Sequence, residues 1–198
     1  MRNLERAALG AAVALSVLSV GDAVLRGVSD AVLPWDDEAG TTWGIVATNL
    51  LMVATFGLLA AVLVRNARGI DDGSGARRWV RRLLATALAV LSVGYLVVSV
   101  VDADAAGIVA GVTFLLMFVL GVVLGALLLR RPEVRLPAVL MVSVVPLIGL
   151  AFAVEALAPG WGHPGYAETA LYLGIALLGI QVAGERSGVG PSLAGART

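Results

Sequence analysis

The sequence predicts an all-α integral membrane protein with six transmembrane helices and both termini on the cytoplasmic side. Three observations lead there. Hydrophobic residues make up 59% of the 198 positions and charged residues 14%, against roughly 45–50% and about 25% in soluble domains. With so few charges a soluble fold would be unable to cover its surface. Six apolar runs, at 7–28, 43–64, 80–101, 107–129, 136–157 and 166–184, match the ~20 residues that carry a helix across about 30 Å of hydrocarbon. Thirteen of the fourteen arginines sit in the termini and alternate connections, and such a bias marks the cytoplasmic side.

The first span, 7–28, follows Arg2 and Arg6. A charged start before the apolar stretch 7–21 has the look of a secretory signal. No small-x-small cleavage site leads into a soluble domain, so the segment is expected to stay as a helix. Near its outer end stand Asp22 and Arg26, the latter being the one arginine off the basic side. The first outer loop carries Asp30, Asp36, Asp37 and Glu38. Trp35, Trp43, Trp79, Trp161 and Tyr166 fall at span ends, where amphipathic rings favour the interface.

The second span, 43–64, leads into Arg65, Arg68, Arg77, Arg78, Arg81 and Arg82. This connection, 65–79, contains Asp71-Asp72-Gly73-Ser74-Gly75 and is expected to be a turn rather than a fold. The third span, 80–101, gives way to an outer loop with Asp102 and Asp104. In the fourth, 107–129, Gly107 and Gly111, then Gly121 and Gly125, place small residues four apart, a spacing that lets backbones approach closely. That span is therefore expected to lie centrally or at an interface between protomers. Arg130, Arg131 and Arg135 follow.

Pro146 should bend the fifth span, 136–157, because it removes a backbone donor and crowds the preceding turn. An outer loop, 160–166, holds His163, and Glu168 is counted with the outer acids. The sixth span, 166–184, carries Gly174, Gly179, Gly184 and the lone amide Gln181. A Gly/Ser/Pro-rich tail, 186–198, is expected to be disordered and cytoplasmic. Residues 14–21 resemble 87–94, and the second and fourth spans share short matches. Two helical hairpins of one orientation, related by duplication, would produce this, as a parallel rather than an inverted repeat.

Composition also excludes chemistry. Net charge is zero, so no nucleic-acid partner is expected. Absence of cysteine rules out disulfides and thiolate sites. Absence of lysine reads as the codon bias of a GC-rich prokaryotic genome. No P-loop, nucleophile elbow, metalloprotease helix or dinucleotide fingerprint occurs. No cofactor is expected, and His163 lacks ligands at metal-site spacing and reads as a solvated loop residue.

Ionisable groups inside spans are costly and mark candidate sites. Asp22 and Arg26 are four apart and share a helix face. Counting helical rise from the outer boundary brings Asn49, Tyr95 and Thr113 to about the depth of Asp22, roughly 9 Å, with Glu155 and Ser99 shallower. These six, Asp22, Arg26, Asn49, Tyr95, Thr113 and Glu155, define a candidate outer polar pocket above an apolar inner half. The competing reading is that they are paired structural contacts, with Arg26 satisfied by Asp22 or Glu155 or snorkelling to the surface. Three functions follow in order of preference. The first is an accessory or structural membrane component, in contact with membrane lipids and with other subunits or a second copy through the span-four glycines. The second is a transporter or a lipid- or amphiphile-binding protein that uses the outer pocket. An intramembrane enzyme with Asp22, Glu155, Tyr95 and His163 as acid–base groups comes last.

Overall fold

The computed structural model describes residues 3–29, 33–35, 40–99 and 104–186, the side chains of 104–107 and 186 excepted. Arg2, the loop acids Asp30, Asp36, Asp37, Glu38 and Asp102, and the tail from Ser187 with Arg197 lie outside the described residues. Among those described the chain is all-helical: α1 (Asn3–Val28), α2 (Thr42–Arg65), α3 (Ala67–Asp71), α4 (Gly75–Val98), α5 (Asp104–Leu128), α6 (Arg135–Val142), α7 (Val144–Leu157) and α8 (Gly165–Arg186), with a 3₁₀ turn at Pro132–Val134. Six helices are long and apolar enough to cross a membrane, α6 and α7 together forming the fifth. The composition and these helices make a multi-pass membrane protein.

Local chemistry explains the element ends. Thr41 caps α2 by accepting the Gly44 N–H at 3.3 Å, and Ser74 caps α4 by accepting that of Arg77 at 3.4 Å. The reversal between α3 and α4 uses Asp72 at φ 43° and Gly73 at φ 75°, a left-handed conformation that glycine and aspartate tolerate best. Ser143, between α6 and α7, keeps both of its ladder bonds, donating to the Val139 carbonyl at 2.8 Å and accepting from the Leu147 N–H at 3.0 Å. Pro146 brings no N–H to the Val142 carbonyl four residues back, which is the expected site of a bend.

The helices form a closed ring. α1 packs on α2, α2 on α4, α4 on α5, α5 on α6, and α8 returns against α6, α7 and α1 while also touching α2. The last span is the enclosed one: 56% of its window is buried, against 28–33% for the other five. Of the two places expected for the fourth span, the centre or a protomer interface, the centre belongs to α8 instead. The glycines of the fourth span do bring backbones together, but on one face: Gly121 abuts Leu171 of α8 and Gly125 abuts Met141 of α6. Gly111 faces open space. α8 carries alanine or glycine at 167, 170, 174, 176 and 179, so neighbours close on it from several directions.

Hydroxyls stitch the ring where small residues bring backbones close. Ser92 donates to the Val53 carbonyl at 2.8 Å across α4 and α2, beside Gly57, and Thr55 donates to the Ala11 carbonyl at 3.4 Å across α2 and α1. Tyr95, Phe56 and Tyr172 of α4, α2 and α8 meet, with ring centroids 5.8 and 5.7 Å from Phe56, within the range of favourable aromatic pairs.

The arginine-rich end is more built than the sequence indicates. The 65–79 connection is folded around α3, whose Ile70 and Asp71 are buried. Arg81 is buried too and grips Asp71 through both carboxylate oxygens, Nε to Oδ1 at 2.7 Å and Nη2 to Oδ2 at 3.0 Å, while Nη1 reaches the Leu63 carbonyl at 3.4 Å. Arg131, from the next connection on the same side, donates to the Gly69 carbonyl at 2.7 Å. Glu5 is buried against α2, its Oε1 accepting from Asn66 at 3.4 Å and lying 3.5 Å from Arg65 Nε. A low-dielectric boundary demands such pairing, because an unpaired buried charge is strongly destabilising. The inner half of the bundle is therefore apolar only above this layer.

Candidate functional site

The inward face of α1 is marked by Glu5, Ala8, Ala12, Leu15, Ser16, Asp22 and Ala23, all but Leu15 small or polar, on one face of a helix that is otherwise apolar all round. That register brings Asp22 to the end of the α1–α8 interface away from the arginine-rich connections. Both of its oxygens are taken. Trp35 Nε1 donates to Oδ1 at 2.9 Å, Arg26 Nε donates to Oδ2 at 3.0 Å, and His163 Nε2 stands 3.1 Å from Oδ2. One carboxylate thus ties together α1, the α1–α2 loop and the α7–α8 loop.

A second tie lies one turn away. Ser19, three residues before Asp22 and on its face, donates to Glu168 Oε2 at 3.3 Å, and Tyr172 donates to the same oxygen at 3.4 Å. Glu168 sits in the first turn of α8, where a carboxylate is favoured by the helix dipole. The corner is tight. A Cβ on Gly165 would lie 2.7 Å from the Ser19 carbonyl oxygen and 3.0 Å from His163 Nδ1, and Trp161 lies flat on Gly27.

The six residues proposed from sequence divide as follows. Asp22 and Arg26 are joined directly. Glu155 is exposed and accepts the Gly160 and Gly162 N–H groups at 3.0 and 2.9 Å, so it shapes the 158–164 loop. Tyr95 packs against Phe56 with its ring tilted by 31°. Asn49 is buried in α2 and Thr113 half-buried in α5, and among the described residues no hydrogen bond joins either to Asp22. Of the residues that join this cluster, His163 is grouped with Asp22 by the sequence only as a candidate acid–base partner, and Trp35, Ser19, Glu168 and Tyr172 lie outside the six. Glu168 carries a signal in the sequence, because it falls within the predicted sixth span rather than in the loop before it. Among the described residues no three His, Asp or Glu side chains are grouped to hold a metal ion.

His163 is half-buried rather than solvated, and its protonation is legible in its bonds. Gly165 N–H donates to Nδ1 at 3.1 Å, which leaves the ring proton on Nε2, beside Asp22. A second proton would have to displace the Gly165 bond. Burial holds the imidazole below its usual 6.5, with Asp22 opposing that shift and Arg26 adding to it. An unfolded chain then binds the proton more readily than the folded one. The contribution to stability is complete above about pH 6.5 and is lost as pH falls through the lower folded value. Thermal unfolding followed from about pH 7.5 to about pH 5.5 should show a steeper decline for the native chain than for His163→Gln. Equal slopes would assign the pH dependence to another group.

No protein-family model matches the sequence, and neither a curated protein nor a solved structure matches the chain.

Proposed function

We propose that this chain is a non-catalytic structural or accessory component of the cell membrane, oriented with its arginine-rich end and both termini in the cytoplasm. The observation that supports it is the use made of Asp22. The most conspicuous intramembrane carboxylate has three partners from three segments, and its role is to fasten the outer ends of α1, α8 and their loops. Glu155 shapes a loop and Glu168 bridges α1 and α8, so these three acids act as fasteners. Orientation rests on the arginine bias. A contact between protomers through span four would fall to its Gly107–Gly111 end, because Gly121 and Gly125 are used within the fold.

Stability separates this reading from a ligand pocket. Groups held for binding are commonly neutral or costly to the fold, so replacing them leaves stability unchanged or raises it. Asp22→Ala should instead destabilise the purified protein by about 2 kcal/mol, roughly 4–8 °C in Tm. Adding Arg26→Ala should restore only part of the loss, because the Trp35 N–H and His163 stay without their acceptor. An unchanged or raised Tm in Asp22→Ala would favour the alternative, a transporter or amphiphile-binding protein working through the outer pocket.

A further inference from the structure

On the lipid-facing side of α2 and α4 a groove of about 640 Å³ opens beside Arg65, Arg81 and Arg82 and runs over a floor that includes Ala61, Ala85 and Ala89. A second hollow of about 350 Å³, walled by Val90 and Val93, shares Thr86 and Ala89 with it and carries it further along α4. Helical rise from Arg82 to Val93 is about 16 Å, near half of a ~30 Å hydrocarbon core. The groove therefore starts at the membrane boundary and has the depth of one leaflet.

The arginines at its mouth are not equivalent. Arg81 is taken up by Asp71 and the Leu63 carbonyl. Arg65 lies 3.5 Å from Glu5 with its side chain 39% exposed. Arg82 is exposed, stands 6.0 Å from the Trp79 ring and, among the described residues, has no acidic partner. Thr86 follows it by one turn with its side chain exposed. A guanidinium held at the boundary beside an interfacial indole, above an alanine-floored channel, matches an anionic headgroup followed by an acyl chain. Nearby Arg65 and Arg78 disfavour a headgroup that carries its own cation. A second copy of the chain, in the same orientation, would bring arginines to arginines at this level.

We propose that the α2–α4 groove holds one acidic phospholipid from the leaflet on the arginine-rich side, its phosphate on Arg82 and one acyl chain along the alanines. This site is separate from the outer polar cluster and does not depend on the role assigned there. Native mass spectrometry of the full chain, titrated with palmitoyl-oleoyl phosphatidylglycerol or with phosphatidylcholine of the same chains, tests it. Phosphatidylglycerol should be retained at one molecule per chain in preference to phosphatidylcholine. Arg82→Gln should weaken it about tenfold, the loss of one charge-assisted contact. Ala89→Phe, which fills the channel and leaves every charge in place, should weaken it as well, and inorganic phosphate should not displace it. Equal retention of the two lipids, unchanged binding in either variant, displacement by phosphate alone, or a dimer that forms as lipid is lost would each overturn the proposal.

Discussion

Asp71→Ala is expected to destabilise the purified protein by about 3–5 kcal/mol, roughly 10 °C or more in thermal unfolding for a chain of this size. Arg81 would be left in a nearly closed environment, its side chain 7% exposed, with only the Leu63 carbonyl still accepting from it. Water reaches such a site poorly, so the guanidinium would have to move toward solvent and disturb α3, or remain with its charge uncompensated. Arg81→Ala should cost a comparable amount from the other side. The pair Asp71→Leu with Arg81→Met should recover most of the loss, because a buried ion pair and a well-packed apolar pair differ little in net stability. Arg78 is the internal control. Its Nε lies 3.9 Å from Asp71 Oδ2 and its side chain is half exposed, so Arg78→Ala should change stability by no more than about 1 kcal/mol. Single losses below that level for Asp71 and Arg81 would mean that the pair is hydrated and does not fasten α3 to the bundle.

Alanine at Gly125 is expected to lower stability by about 1–3 kcal/mol despite its better helix propensity. α6 meets a glycine from each of two helices. A Cβ on Gly125 of α5 would stand 2.8 Å from Met141 Cβ and 3.0 Å from the Ala138 carbonyl oxygen, while one on Gly174 of α8 would stand 2.7 Å from Met141 Cγ and 3.1 Å from the Pro137 carbonyl oxygen. Met141 can swing its Cγ but not its Cβ, so Gly125→Ala should be the more damaging of the two. Both replacements push on the same turn of one short helix, at Met141, and their losses should not add independently. Gly149→Ala is the comparison, since nothing lies within 4 Å of a Cβ there. That variant should be neutral or slightly stabilised. If Gly125→Ala unfolded at the temperature of Gly149→Ala, the close approach of α5 to α6 would be untenable.

These two sites show different degrees of legibility. Gly125 was visible as one of four spaced glycines in a single span, because helical periodicity is local and small residues stand out against leucine and valine. Its partner, Met141, carries no mark. The Asp71–Arg81 pair was hidden, since a five-residue helix inside an arginine-rich connection gives no periodic signal and lone Ile70 reads as incidental. In the outer cluster Asp22 and Arg26 could be paired from spacing alone. Trp35 and His163 could not, because they come from two other loops and meet Asp22 only once α1 and α8 are neighbours.

The sequence by itself determined the class, the number of spans and the segregation of arginine, because each depends on composition summed over a window about one bilayer thick. It did not determine which helix is enclosed. In lipid an apolar residue faces solvent and core with nearly equal free energy, so five helices show no strong stripe to say which side is inward, and α4 shows one only through its arginines. Tertiary packing decided that α8 is the enclosed helix. It decided as well that Asp22 and Glu168 are bound to donors from other segments, and that the basic end is tied down by a buried ion pair. The physical reason is the same in each case: a polar group next to hydrocarbon must find its partner within the protein, and the partner is chosen by which backbones the small residues allow to approach.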